Sequence, residues 1–194
     1  MKKIVLTIIT IGIFLLGKAQ SNELAEAYIN QFKAIAIAEM QRTGVPAAIK
    51  LAQGIYESAY GQSNLVKRSN NHFGIKCKTG YTGPYVLHDD DRRNERFVKY
   101  EDARQSYIDH SDFLKNRPYY TALFDLDPRD YKAWATGLKK AGYATNPKYA
   151  QMIISLVERY DLQKYSLMAL GEMPIPEAVQ KEIADQKNTI QHSK

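Results

Sequence analysis

The chain has 194 residues, 44% of them hydrophobic and 25% charged, enough apolar material for one domain with a real core plus extensions. Its formal charge of +6 is not gathered into a basic stripe and no nucleic-acid motif is present, so nucleic acid is not an expected partner. The single cysteine, Cys77, forbids an internal disulfide, and with no Cys-His-Asn layout around it the expectation is a small, half-buried residue.

Residues 1–20 read as a secretory signal peptide. Lys2 and Lys3 precede the apolar run from Ile4 to Leu16, and Gly17-Lys18-Ala19 offers small residues where a signal peptidase reads. The run is too short and wrongly flanked for a stable membrane span, and no lipobox cysteine follows it. The mature chain is therefore expected to be exported, to the periplasm or beyond the cell, as a monomer without a membrane anchor. Losing Lys2, Lys3 and Lys18 brings the formal charge to about +3, which suits an anionic polymer.

Asn22 is expected to cap a helix through about Arg42, ended by Thr43-Gly44. Pro46 opens a second helix, since its missing N–H would be unpaired in a first turn anyway. At about 100° per residue, Ala48, Leu51, Ala52, Ile55 and Tyr56 form an apolar arc, with Lys50, Gln53, Gly54 and Glu57 on the other side. Gly54, one turn before Glu57, would leave room for a ligand. Residues 61–80 read as loop. Tyr85-Val86-Leu87 and Arg96-Phe97-Val98 flank a charged stretch and read as a β-hairpin. Asp102 then caps a helix to about Asn116, with Ala103, Tyr107, His110 and Leu114 on one side, and Pro118 opens a short turn.

Asp127-Pro128 opens another helix, on which Tyr131, Trp134, Ala135 and Leu138 have core spacing. Asn146-Pro147 repeats the cap-then-proline signature, and the helix it opens runs to about Tyr160 with Met152, Leu156, Val157 and Tyr160 inward. Beyond Tyr165 the periodicity decays past Pro174 and Pro176, so residues 166–194 are expected to form a flexible tail. The expected architecture is α+β and predominantly α, one domain over residues 21–165 with a small β-hairpin lobe.

Glu57 is the candidate for chemistry. It stands where a helix breaks into a polar loop, which alone fits an ordinary surface glutamate. The segment Glu57-Ser58-Ala59-Tyr60-Gly61 runs on to Asn70-Asn71-His72-Phe73-Gly74-Ile75-Lys76, and later to Ala141-Gly142-Tyr143-Ala144-Thr145-Asn146-Pro147-Lys148-Tyr149-Ala150. These three blocks, in this order and at this spacing, resemble the glucosaminidases of glycoside hydrolase family 73. The resemblance covers about residues 24–162. It implies a lysozyme-like fold and an endo-β-N-acetylglucosaminidase that cleaves the glycan strands of bacterial peptidoglycan, its expected partner.

The resemblance implies roles residue by residue. Glu57 would be the general acid, protonating the departing glycosidic oxygen. Tyr60 and Phe73 could wall its carboxyl and raise its pKa by desolvation. The family's second carboxylate, a glutamate two residues after a threonine, falls on Asp91, with Asp89 in the threonine's place; a solvated turn fits these aspartates equally well. Tyr143 would line the cleft, orienting the substrate acetamido group or stabilising charge. Asn71 and Phe73 would touch the sugar, though either could be structural. His88 beside three aspartates matches no calcium or zinc motif, so no metal and no cofactor are expected, and His72, His88 and His110 read as surface histidines. Water attack, a covalent intermediate and help from the acetamido group all remain open. Two other functions fit as well: a muramidase or lytic transglycosylase on the same fold, and a wall-binding module without turnover.

Overall fold

The computed structural model describes the backbone of residues 2–192 and the side chains of residues 20–186. The fold is mostly helical with a small two-stranded antiparallel sheet, as the sequence implies. Helix α1 (Lys2–Thr43) is continuous through Asn22, which is no cap; its side-chain oxygen accepts from the Tyr160 hydroxyl instead (3.2 Å). The side chains of the expected signal peptide, apart from Gln20, lie outside the described residues. Among the described residues no helix is long and apolar enough to cross a membrane.

The second helix, α2 (Ala47–Glu57), is the centre of the molecule, packed against α1 and three later helices. Ala47 to Ile55 are all buried, so the polar side of this helix faces protein, not water. Ile49, Leu51 and Ile55 are at most 1% exposed and contribute roughly 1.5–3 kcal/mol each. Lys50 and Gln53 are buried with them and must find partners inside, because an unpaired buried polar group is costly. The space over Gly54 is not a ligand site. A Cβ there would come within 2.5 Å of the Tyr28 hydroxyl and 2.8 Å of the Tyr107 hydroxyl, so the missing side chain admits two tyrosines.

The stop after α2 is built in. Ala59, Tyr60 and Gly61 take φ of 50°, 59° and 77°, a left-handed run that only the glycine adopts freely. The Ser58 hydroxyl holds the turn by accepting from the Gly61 amide (2.7 Å). Residues 61–80 are not all loop: α3 (Asn64–Ser69) forms one short helix, capped by the Ser63 side chain. The hairpin pairs β1 (Tyr85–His88) with β2 (Glu95–Val98), Tyr85 opposite Val98 and His88 opposite Glu95.

Asp102 caps α4 (Ala103–Asn116) by accepting from the Gln105 amide. A 3₁₀ segment (Pro118–Asp125) leads to α5 (Tyr131–Lys140), whose cap is Asp130 and not Asp127. Trp134, Ala135 and Leu138 are buried on α5 as their spacing predicts. On α6 (Tyr149–Arg159) the inward residues are Tyr149, Ile153 and Val157, while Met152 is 37% exposed.

The chain beyond Tyr165 departs from expectation. Residues 163–169 form α7 (Gln163–Ala169), where the buried Ser166 hydroxyl accepts from the Ala48 amide at the start of α2 (3.0 Å). Residues from Glu177 form α8 (Glu177–His192), which packs on α1 with Val179 and Ile183 in the core. Helix α7 ends before the left-handed Gly171, and Pro174 and Pro176 lie in the turn that leads into α8, so they mark a corner and not the edge of the folded region.

Candidate active site

A cleft of about 580 Å³ opens at the C-terminal end of α2. Its lining includes Tyr56 and Glu57 from α2, Phe73, Lys76, the hairpin-loop residues Asp90 and Asp91, and Tyr143. A larger groove of about 800 Å³ runs between the 3₁₀ segment and α5, but its one lining carboxylate, Asp130, is engaged in capping α5. The chemistry therefore points to the smaller cleft.

Glu57 is partly buried at the last position of α2. Its pKa is pushed from 4.5 up to about 7, first by burial; the Tyr149 hydroxyl, hydrogen-bonded to the carboxyl, pulls it back, and the negative charge of Asp90 adds to the rise. The C-terminal end of a helix dipole opposes a carboxylate in the same sense. Tyr149 is buried, and its oxygen accepts from the Gln53 amide nitrogen (2.9 Å), which leaves its own proton for Glu57. Sequence reasoning missed Tyr149, although Gln53 and Glu57 are four residues apart and so share a helix face.

Tyr143 lies against this pair. Its ring stacks on Tyr149 (centroids 5.6 Å apart, 30° between planes), and its hydroxyl is 2.9 Å from His110 Nε2. Burial and the nearby Glu57 carboxyl keep the phenol well above its ordinary pKa, so it stays a neutral O–H. Phe73 forms part of the cleft lining and stacks face to face on His110 at 4.0 Å.

Within the same cleft Lys76 gathers three carboxylates: Asp90 at 2.8 Å, Glu95 at 3.0 Å and Asp91 at 3.2 Å. Burial disfavours its ammonium, but these three hydrogen bonds outweigh that and raise the Lys76 pKa. Asp90, Asp91 and Glu95 come close enough together to hold a metal ion, but the Lys76 ammonium already supplies their positive charge. Asp91 lines the cleft and is exposed; Asp90, not singled out from the sequence, lines it too. Asp89 does not line it. Its carboxylate accepts from the Asn94 amide (2.8 Å) and shapes the hairpin loop.

Two further expected residues have other work. Asn71 is 1% exposed, and its amide nitrogen donates to the carbonyls of Ile75 and Val98 (2.9 Å each) while its oxygen accepts from the Ile75 amide (2.9 Å). It clamps the cleft loop to β2, out of reach of a sugar. Tyr60 turns away at the left-handed stop and lines a separate groove beside Met152 and Arg159. His72 and His110 are buried, not on the surface; His72 accepts or donates at the Tyr28 hydroxyl (2.9 Å), and burial lowers its pKa to about 4. Cys77 is half-buried as expected, and burial raises its thiol pKa, away from nucleophilic use.

Known proteins share this sequence and shape. A glucosaminidase family profile, described as mannosyl-glycoprotein endo-beta-N-acetylglucosaminidase, matches residues 33–162. The exo-glucosaminidase LytG of Bacillus subtilis (strain 168) is 36% identical over 131 residues, covering 61% of this chain and 45% of LytG. The peptidoglycan hydrolase FlgJ of Vibrio parahaemolyticus is 30% identical over 148 residues, covering 70% of this chain and 47% of FlgJ. This chain thus spans less than half the length of either relative. Among solved structures, the catalytic domain of the autolysin Auto from Listeria monocytogenes superposes with a TM-score of 0.64 at 28% identity, covering 73% of this chain and 87% of that one. The peptidoglycan hydrolase from Sphingomonas sp. A1 gives 0.63 at 28% identity, covering 78% and 97%.

Proposed function

The chain belongs to the glucosaminidase family, and from that premise we propose that it hydrolyses the glycan strand of peptidoglycan, with Glu57 as general acid. The observation that carries this reading is a partly buried carboxyl at the end of α2, its pKa raised to about 7, beside a neutral phenol in an open cleft. A glycosidic oxygen leaves poorly unless it is protonated, and an acid with a pKa near 7 is both loaded and willing to give up its proton there. The positive charge that develops on the sugar would meet Asp90 and Asp91 in the same cleft. Of the two, Asp91 is less committed to Lys76, at 3.2 Å against 2.8 Å, and remains our choice for the second carboxylate. These carboxylates also support an enzyme over a wall-binding module without turnover.

The bond cut is the β-1,4 linkage after N-acetylglucosamine, within the strand. Peptidoglycan lies outside the cytoplasmic membrane, so this function requires export, which the charged and then apolar segment at residues 2–16 supports. The positive centre between the acids is Lys76, which supports catalysis without a metal. Digestion of purified peptidoglycan by wild type and Glu57→Gln, with products read by mass spectrometry, tests the reading. Fragments ending in reducing N-acetylglucosamine are expected from the wild type alone. Release of single N-acetylglucosamine residues would make it an exo-enzyme, and an anhydromuramic end would make it a lytic transglycosylase.

A further inference from the structure

We propose that Lys50 and His110 are positioning residues that fix the direction of the Tyr143 hydroxyl, making it a hydrogen-bond donor into the cleft. The proposal rests on the reading of that cleft as the glycan site.

Lys50 is fully buried on α2, an unusual place for an ammonium group. Its Nζ donates to the Tyr107 carbonyl oxygen at 2.7 Å and lies 3.0 Å from His110 Nδ1. The rings of Phe73 and Tyr107 lie 5.0 and 5.7 Å from the same nitrogen. Below about pH 7, to which burial lowers its pKa, Lys50 is an ammonium with donors and no acceptor, so the histidine nitrogen facing it must offer a lone pair. The single ring proton of a neutral His110 then sits on Nε2.

Burial and the Lys50 charge both keep His110 neutral, its pKa well below the ordinary value. Face-to-face packing with Phe73 at 4.0 Å and 4° fixes the plane of the ring. Nε2 is 2.9 Å from the Tyr143 hydroxyl. Because Nε2 carries the proton, the phenol oxygen accepts. Its own proton has no other hydrogen-bond partner among the described residues and is left for the cleft that Tyr143 lines with Glu57. A tyrosine set this way offers an O–H to a substrate oxygen, such as an acetamido carbonyl, without first having to break a bond within the protein. The order is Lys50 to His110 to Tyr143, and only the last member faces the substrate.

Two measurements test this. Ring ¹⁵N shifts of histidine-labelled wild type at pH 6, with His110 assigned by difference against His110→Phe, should show the neutral Nε2–H form. A proton on Nδ1, or a doubly protonated ring, overturns the proposal. The second is a double-mutant cycle in kcat and KM on peptidoglycan with His110→Phe, Tyr143→Phe and the pair. Each single change should lower kcat on the order of tenfold with KM little changed. The pair should be no worse than Tyr143→Phe alone; losses that multiply would refute the coupling. Lys50→Met serves in the same cycle if His110→Phe does not fold. Glu57→Gln is run alongside. If it keeps the wild-type rate, the functional reading fails, and the tautomer of His110 still decides the direction of the hydroxyl. If it is inactive while the cycle is multiplicative, only the positioning proposal fails.

Discussion

Replacing Glu57 by glutamine keeps the size of the side chain and removes its proton, and the structure sets two separate consequences. Turnover should fall by about 10² to 10⁴, the scale of a lost general acid. In the wild type, kcat/KM should fall as pH rises through about 7, where the carboxyl loses its proton. The second consequence is for stability. The folded pKa of about 7 lies above the ordinary 4.5, so the folded state binds the proton more tightly than the unfolded chain. The stabilisation that comes with the proton is complete below about pH 4.5 and is lost as pH rises through 7. At roughly 1.4 kcal/mol for each pH unit, the wild type gives up about 3 kcal/mol across that window, and water in the open cleft makes this a ceiling.

Glutamine does not titrate, so the variant should match the wild type near pH 4 and be more stable at pH 8. The gain should be at most about 3 kcal/mol, or roughly 6–12 °C in Tm for a chain of this size. Thermal or urea melts of both proteins at pH 4, 6 and 8, beside rate profiles over the same range, give the comparison. A stability difference that stays flat from pH 4 to 8, or a rate that rises through pH 7, would refute the assignment of Glu57 as a buried, protonated acid.

Tyr149→Phe removes the hydroxyl that hydrogen-bonds the Glu57 carboxylate, so the falling limb of the rate profile should move to higher pH; a limb moving down would show that the bond favours the acid form instead. Asp91→Asn and Asp90→Asn should depress kcat more than they change KM. Asp89→Asn should leave kcat alone and cost about 1 kcal/mol or less through the loop bond to Asn94, checked by urea melts beside steady-state kinetics. Truncation after Gly171 removes α8 with buried Val179 and Ile183, and should lower Tm by roughly 5 °C or more; an unchanged Tm would mean that the helix does not contribute to the fold.

Much of the fold could be read from local signals. The turn-forming run between two β-rich segments gave the hairpin, and Asp102 gave the start of α4, because both depend on residues close in sequence. Asn22 failed as a cap for the complementary reason: a capping residue is permissive, and nothing in its neighbourhood forces the backbone to break. The end of the folded region was misjudged because α8 presents only a thin apolar edge, with Val179 and Ile183 four residues apart. Such an edge looks like noise until α1 is there to receive it. Within the site, Glu57, Phe73, Tyr143 and Asp91 were named from their motifs and do share one cleft. Tyr60 was assigned by nearness in sequence, but three left-handed residues in succession reverse the chain and carry it to another face. An amide at position 71 fits a sugar ligand and a structural clamp equally well, and only the positions of the Ile75 and Val98 carbonyls decide between them.

Helix α2 is where periodicity alone tells least. Periodicity separates an apolar from a polar side, and the usual inference is that the polar side meets water. Here it meets Tyr107, His110 and Tyr149. Lys50, Gln53 and Glu57 stand three and four residues apart and present a cation, an amide and a carboxyl to the interior. Each requires a partner, since an unpaired polar group in that setting costs on the order of 1–3 kcal/mol. The partners they draw in are the aromatic and imidazole groups that frame the cleft. A helix made of alanine, leucine and isoleucine alone could bury as much surface, but it would leave the phenols of Tyr143 and Tyr149 without a defined direction. The polar residues of α2 cost stability, above all where Lys50 is desolvated until its pKa falls to about 7, and what they supply is orientation at the point where a proton has to be delivered.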